Sequence, residues 1–104
     1  MQENNMLEIK QTMNGDVLTV ELDGRLDTTT ARLLEDNLRD QLENARKVIF
    51  EVGRLKYISS AGLRVLLATQ KAVEDPSDMV IRNITEEVRE IFEVTGFMDI
   101  LTVE

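Results

Sequence analysis

The sequence predicts an α/β protein in which a mixed β-sheet begins with a hairpin and carries helices mainly on one face. Short apolar runs typical of strands alternate with stretches in which leucines recur at helical spacing, in the order β-β-α-β-α-β-α-β. The connections between the later strands are long enough to hold a helix, which indicates parallel pairing beside the antiparallel hairpin. With 104 residues, the chain is expected to form one domain over residues 1–104.

Alternating apolar residues on either side of an Asn14–Gly15 turn signal predict the hairpin. These residues are Leu7, Ile9 and Met13 before the turn and Leu18, Val20 and Leu22 after it. A loop is expected over residues 23–27, and Thr28 to Thr30 offer N-caps for the first helix. The apolar face of that helix consists of Ala31, Leu34, Leu38 and Leu42.

The middle of the chain predicts a central strand followed by a second helix. Val48–Val52 is nearly continuous in apolar character, as in a strand that is covered on both faces of a sheet. The helix follows Ser60, and Pro76 prevents it from running past Glu74 and Asp75. Its apolar residues are Leu63, Leu66, Leu67 and Val73.

The last third of the chain predicts a buried strand, a third helix and a short edge strand. Met79–Ile81 is the buried strand, and Asn83 with Glu86 fits a variant of the capping box. Gly96 is expected to end the helix, and Ile100–Val103 to form the edge strand. The apolar face of the helix consists of Val88, Ile91 and Phe92.

Composition excludes several classes of function. The formal charge of -8 makes binding to a nucleic-acid backbone unfavourable. The chain has no Cys and no His, so thiolate catalysis, thiolate metal sites, Ser-His-Asp hydrolysis and histidine phosphotransfer are all excluded. No apolar run is long enough for a membrane span, and the polar start Met1–Asn5 lacks the basic residues of a signal peptide. We therefore expect a cytoplasmic protein without membrane insertion.

Two adjacent serines, Ser59 and Ser60, stand where the central strand pattern gives way to the second helix. A helix N-terminus favours negative charge, so a phosphate attached to either hydroxyl would be accommodated there. Serine is also a preferred N-cap, and the residues alone favour a purely structural cap, which is compatible with regulation at the same place. Acidic residues in the neighbouring loops, such as Asp23, Asp27 and Glu51, make only a weak metal signal, and no metal or other cofactor is predicted.

Three segments resemble one family. Residues 48–67, which contain the run Ile58-Ser59-Ser60-Ala61-Gly62-Leu63, resemble the core motif of the bacterial STAS domain, specifically of the anti-sigma-factor antagonists. Residues 22–27 are similar to the second-strand signature of that family, and residues 88–97 to its third helix and the turn that follows.

The resemblance implies a binding protein that is not an enzyme. The protein would bind an anti-sigma factor that is also an ATP-dependent serine kinase, and phosphorylation of one serine would end the interaction until a phosphatase reset it. The motif maps the phosphoacceptor to Ser60, with Ser59 as the alternative because it replaces the aspartate that commonly precedes the acceptor. The surface that binds the partner would comprise Gly24, Asp27, Ser59, Ser60, Gly62 and Leu63, with Gly62 letting a partner's backbone approach closely.

Two other functions remain open at this point. A constitutive STAS adapter in a transport or stress-sensing complex would use the same helix face for permanent docking. A small hydrolase that used Ser60 would lack a base to activate the hydroxyl.

Overall fold

The computed structural model describes residues 7–104, in which five strands and three helices follow one another along the chain. The strands are β1 (Leu7–Asn14), β2 (Val17–Leu26), β3 (Lys47–Ile58), β4 (Met79–Arg82) and β5 (Thr102–Val103). The helices are α1 (Thr28–Leu42), α2 (Ser60–Ala72) and α3 (Glu86–Thr95), with 3₁₀ turns at Pro76–Asp78 and Phe97–Asp99. The polar stretch Met1–Asn5 lies outside the described residues.

The strands form one mixed sheet in the order β1-β2-β3-β4-β5. β1 and β2 are antiparallel, whereas β2, β3, β4 and β5 pair in parallel. This confirms the predicted fold class and element order, and it places β3 at the centre of the sheet. β5 has only two residues and forms the edge beside β4, so the last strand is shorter than the sequence predicted.

The core lies between the sheet and the three helices. Val20, Phe50 and Ile81 lie in register across β2, β3 and β4, and all three are completely buried. The opposite face of the sheet carries charged side chains such as that of Glu51, which is half-buried. The expectation that the central strand is covered on both faces holds only for Val48–Phe50, because Ile49 on the opposite face is also buried, whereas the strand beyond Phe50 is half-buried or exposed on that face.

The hairpin turn is displaced by one residue from the prediction. Asn14 pairs with Val17, so the two loop residues are Gly15 and Asp16. Gly15 occupies the first loop position with a φ of 65°, a conformation that glycine adopts without the steric cost of a Cβ.

β2 and β3 both continue well beyond their predicted ends. The expected loop at residues 23–27 is strand as far as Leu26, and β3 ends at Ile58 rather than Val52. The pairing of β2 with β3 shifts register twice, and at each shift β3 contains one residue more than β2. The first shift lies between Glu21 and Asp23 of β2, and the second between Gly24 and Arg25. These irregularities interrupt the apolar alternation on which the predicted boundaries depended.

Two of the predicted helix caps are wrong. α1 is capped by Asp27 rather than by one of the threonines, and α3 is capped by Thr85. Asn83 instead adopts a φ of 61° and donates two hydrogen bonds to the carboxylate of Glu51, at 2.9 and 2.7 Å. The prediction for Gly96 is confirmed, since it ends α3 in the left-handed conformation with a φ of 83°.

Candidate functional site

The candidate site forms where two helices begin side by side. β2 and β3 are parallel neighbours whose ends lie level, because Leu26 pairs with Ile58. The Ser59 N–H continues the ladder by donating to the Leu26 carbonyl at 2.8 Å. α1 and α2 start directly after these strands, so Asp27 and the serine pair lie next to each other at the carboxyl edge of the sheet. We call Asp27, Ser59 and Ser60 the two-helix edge.

Asp27 is the N-cap of α1 and is held by a reciprocal set of hydrogen bonds. Its Oδ1 accepts from the N–H groups of Thr29 and Thr30, both at 3.1 Å, while the Asp27 N–H donates to Thr30 Oγ1 at 2.8 Å. Thr30 is buried, and its hydroxyl also donates to the Arg25 carbonyl at 2.8 Å. The role of Thr30 was missed, although Asp27 followed by Thr30 three residues later is the spacing of a capping box.

The hydrogen bond from the Thr30 N–H is the main cause that lowers the pKa of Asp27 below its ordinary value, aided by the Thr30 hydroxyl, the Thr29 N–H and the nearby Arg25 charge. Burial of the carboxyl acts in the opposite direction and is outweighed. Asp27 therefore stays ionised, and its negative charge faces the positive end of the α1 dipole.

Replacing Asp27 with Asn should show how much the negative charge of Asp27 contributes to stability and how that contribution changes with pH. Asparagine can still cap the helix, so only the charge is lost, and we expect the free energy of unfolding to fall by about 0.5–1 kcal/mol at neutral pH. Because the folded pKa is depressed, the wild type loses this advantage as the pH falls through that value. Urea unfolding at a series of pH values should show the two stabilities converging in acid. As a control for the loss of one negative charge, Glu35→Gln changes an exposed carboxylate in the middle of α1, away from both ends of the helix dipole, and should leave the free energy of unfolding at neutral pH within about 0.5 kcal/mol of the wild type.

Ser59 is the N-cap of α2, and its hydroxyl is engaged. Ser59 Oγ accepts a hydrogen bond from the Gly62 N–H at 3.3 Å, and the Ser59 carbonyl accepts from the Leu63 N–H at 2.9 Å. The side chain is half-buried. Of the two serines, Ser59 is therefore the structural N-cap.

Ser60 is the first residue of α2, and its side chain is exposed. Between the two serines, only the hydroxyl of Ser59 has a hydrogen-bond partner within residues 7–104. The Ser60 hydroxyl thus points away from the fold at a helix start, where added negative charge is electrostatically favoured. Within the two-helix edge, it is the hydroxyl that an enzyme could modify without disturbing an internal contact.

The structure gives Gly62 and Leu63 internal roles instead of places on the surface. A Cβ at Gly62 would lie 2.7 Å from Leu26 Cγ and 2.9 Å from Ile58 Cγ1, so glycine is needed for α2 to pack on the strand ends. Leu63 is 2% exposed and belongs to the core. The expectation that these two residues contact a partner is therefore wrong. Both are buried beneath the two-helix edge, and their packing holds α2 in place.

Gly24 lies within β2, three residues before Asp27, and pairs with Leu7 of β1 and Leu55 of β3. Its φ of 119° falls at the second register shift, which explains the glycine there. The following residue, Arg25, places its guanidinium 4.4 Å from the centre of the Tyr57 ring, an arrangement that the sequence analysis also missed. Gly24 thus shapes the strand that leads to the site and is not brought to the two-helix edge itself.

Two other kinds of feature are absent from residues 7–104. None of their helices is long and apolar enough to cross a membrane. They contain no group of three or more acidic side chains that could hold a metal ion.

Comparison with known families gives a match over nearly the whole chain. The profile of the STAS domain matches residues 8–104. The chain belongs to the STAS domain family. This confirms the resemblance seen in the core motif, and the sheet and helices described above are those of the STAS fold.

Among known proteins, this STAS domain is similar to BtrV of Bordetella bronchiseptica, which has been assigned as an anti-sigma factor antagonist. The two are 39% identical over 84 residues, which cover 79% of this chain and 72% of BtrV. An anti-sigma factor antagonist from Mycobacterium paratuberculosis has the same fold, with a TM-score of 0.82 at 17% identity, over 93% of this chain and 84% of that one. The Bacillus cell fate determinant SpoIIAA in its phosphorylated form also shares the fold, with a TM-score of 0.69 at 15% identity, over 94% of this chain and 90% of SpoIIAA.

Proposed function

We propose that this STAS domain is an anti-sigma factor antagonist that is switched by phosphorylation of Ser60. In the unphosphorylated state it binds an anti-sigma factor that is also a serine kinase, which frees the sigma factor for transcription in the bacterial cytoplasm. The observation that carries the proposal is the exposed Ser60 hydroxyl at the first position of α2, beside the capping carboxylate of Asp27. The similarity to BtrV supports the same class of function.

The hydrogen bonds favour Ser60 over Ser59 as the acceptor. Ser59 Oγ already caps α2, and the Ser59 N–H is bonded to Leu26, so a kinase would have to break the cap to reach that hydroxyl. Ser60 is exposed and sits one residue further along, where its side chain projects to solvent. In the transfer, Ser60 Oγ forms a bond to the γ-phosphorus of ATP as the bond to the ADP oxygen breaks, and the hydroxyl proton passes to a base of the kinase.

Phosphorylation would change the charge of the docking surface and leave the fold intact. A phosphoserine adds a charge of about -1.5 to -2 and three acceptor oxygens. The site already contains the ionised Asp27, so a partner surface that fits one carboxylate and a neutral hydroxyl would meet a second, larger anion. At the first position of a helix this charge is favourable to α2 itself. Binding can therefore be lost while stability is retained, and a phosphatase that removes the group restores the original surface.

The acceptor can be identified by phosphate transfer. The anti-sigma factor is first recovered from the host on the immobilised wild-type chain and is then incubated with ATP and each of three forms: wild type, Ser60→Ala and Ser59→Ala. Intact-mass measurement should show one phosphate on the wild type and on Ser59→Ala, and none on Ser60→Ala. The Ser59→Ala variant is the matched control, because it removes the neighbouring hydroxyl and its cap.

Full phosphate incorporation into Ser60→Ala, with none into Ser59→Ala, would move the acceptor to Ser59. If no form is phosphorylated and the recovered partner is a transport or scaffold assembly that binds every variant equally, the proposal fails in favour of a constitutive STAS adapter.

A further inference from the structure

The outer edge of β1 is available for pairing with another strand. β1 is an edge strand that pairs with β2 along all eight of its residues without a register shift. Within residues 7–104, no strand pairs along its other side. Such an edge presents a row of backbone N–H and C=O groups to which a further strand can bind. We propose that its occupant is β1 of a second copy of this chain, paired antiparallel about a two-fold axis at Ile9.

The hairpin geometry determines which backbone groups face outward. Because the loop has two residues, Asn14 and Val17 form a hydrogen-bonded pair, and every second residue back along β1 also bonds to β2. The residues in between turn their N–H and C=O groups away from β2, and these are Leu7, Ile9, Gln11 and Met13. An axis at Ile9 pairs Ile9 with Ile9 of the partner subunit, and Leu7 with Gln11 of the partner subunit, all through outward-facing groups.

Charge complementarity selects this axis over its neighbours. Glu8 and Lys10 are exposed, and both belong to the face of the sheet that no helix covers. About Ile9, Glu8 lies opposite Lys10 of the partner subunit, and the symmetric contact repeats the pair. An axis at Lys10 would instead place two lysines opposite each other. A lysine on an edge strand usually opposes pairing, but here a glutamate two residues away provides the matching charge.

The β1–β2 pair has an excess of negative charge that this dimer would relieve. Glu8 lies opposite Asp23 in the hairpin register, and like charges in that position repel. The Arg54 guanidinium lies 3.7 Å from Asp23 Oδ2, and Glu8 has no salt bridge within residues 7–104. Lys10 of the partner subunit would give Glu8 a cation. The two-helix edge would stay accessible, since β2 separates β1 from the strand that precedes Ser60.

The test is self-association of the full chain, measured by sedimentation equilibrium over a range of protein concentrations. We expect the wild type to dimerise, and Lys10→Glu or Glu8→Lys to weaken the dimer at least about tenfold, because each places two like-charged contacts across the axis. The double swap Glu8→Lys/Lys10→Glu should restore the wild-type affinity. A mixture of the two single variants should form a heterodimer, because one chain then presents two lysines and the other two glutamates.

Lys71→Glu, on the exposed face of α2, changes the net charge as Lys10→Glu does and should leave dimerisation unchanged. Circular dichroism of each variant shows whether its fold is retained. A wild type that is monomeric at all concentrations overturns the proposal, and so does a dimer that both single reversals leave unaffected. Neither result depends on the anti-sigma factor or on Ser60, so this proposal and the proposed function can fail independently.

Discussion

Ser60→Asp should weaken binding of the anti-sigma factor by about 30-fold or more, which corresponds to roughly 2 kcal/mol. The substitution replaces an exposed hydroxyl with a carboxylate next to the ionised Asp27, so two anions would enter a contact that fits one. Burying a charge without a partner is costly, and that cost appears in the binding equilibrium. Isothermal titration of each variant with the anti-sigma factor, in the absence of ATP, measures it directly.

Two controls separate this effect from misfolding and from total charge. An acidic residue at the first position of a helix is favourable, so Ser60→Asp should unfold in urea within about 0.5 kcal/mol of the wild type or should be slightly more stable. Asn44→Asp adds the same charge in the exposed loop before β3, at the opposite edge of the sheet, and should bind as the wild type does. Equal affinity of Ser60→Asp and wild type would remove the basis for a charge switch at this residue.

Gly62→Ala should destabilise the protein by about 1–2 kcal/mol, even though alanine is the better helix former. The new Cβ would lie 2.7 Å from Leu26 Cγ and 3.0 Å from the Leu26 carbonyl oxygen, and Leu26 is completely buried. Overpacking of this kind costs about 1–3 kcal/mol, which the gain in helix propensity of about 1 kcal/mol only partly offsets. Urea unfolding gives the free energy, and the loss should lower Tm by several degrees.

Gly53→Ala is the matched control for this prediction. Gly53 is exposed in β3, and a Cβ there would meet its nearest atom, Asn83 Cβ, at 3.5 Å, which is ordinary contact. Stability should be unchanged or should rise, because alanine restricts the unfolded chain. A Gly62→Ala protein as stable as Gly53→Ala would mean that α2 can move away from the strand ends without cost.

The order of elements was predictable because burial imposes periodicity on the sequence. Buried side chains such as Leu18, Phe50 and Phe92 recur with the period of their own strand or helix, and that signal survives without tertiary information. The ends of β2 and β3 were not predictable in this way. Beyond Glu51 of β3, the buried positions Val52, Leu55 and Ile58 are three residues apart, because the register shifts add residues that alternation does not anticipate.

The candidate site was predictable in position but not in its internal contacts. The serine pair at a strand-to-helix boundary indicated where the site lies. The sequence could not determine whether Asp27 or a threonine caps α1, because all of these residues are good N-caps. Nor could it show that Gly62 accommodates Leu26 rather than a partner, because that contact joins residues 36 positions apart in a sequence of 104. The roles of Asp27 and Gly62 depend on which strand ends lie side by side, and this is determined only by the pairing register of β2 with β3.

The two register shifts also set the spacing between the two helix starts. From Glu21 to Leu26, β2 advances five residues, whereas its partner advances seven, from Glu51 to Ile58. At about 3.3 Å per residue, regular pairing would carry the end of β3 roughly 7 Å beyond that of β2. Ser60 would then stand well clear of Asp27. Insertions or deletions within residues 52–57 would therefore alter partner recognition by changing the length of one strand relative to the other, even with every surface side chain of the site preserved.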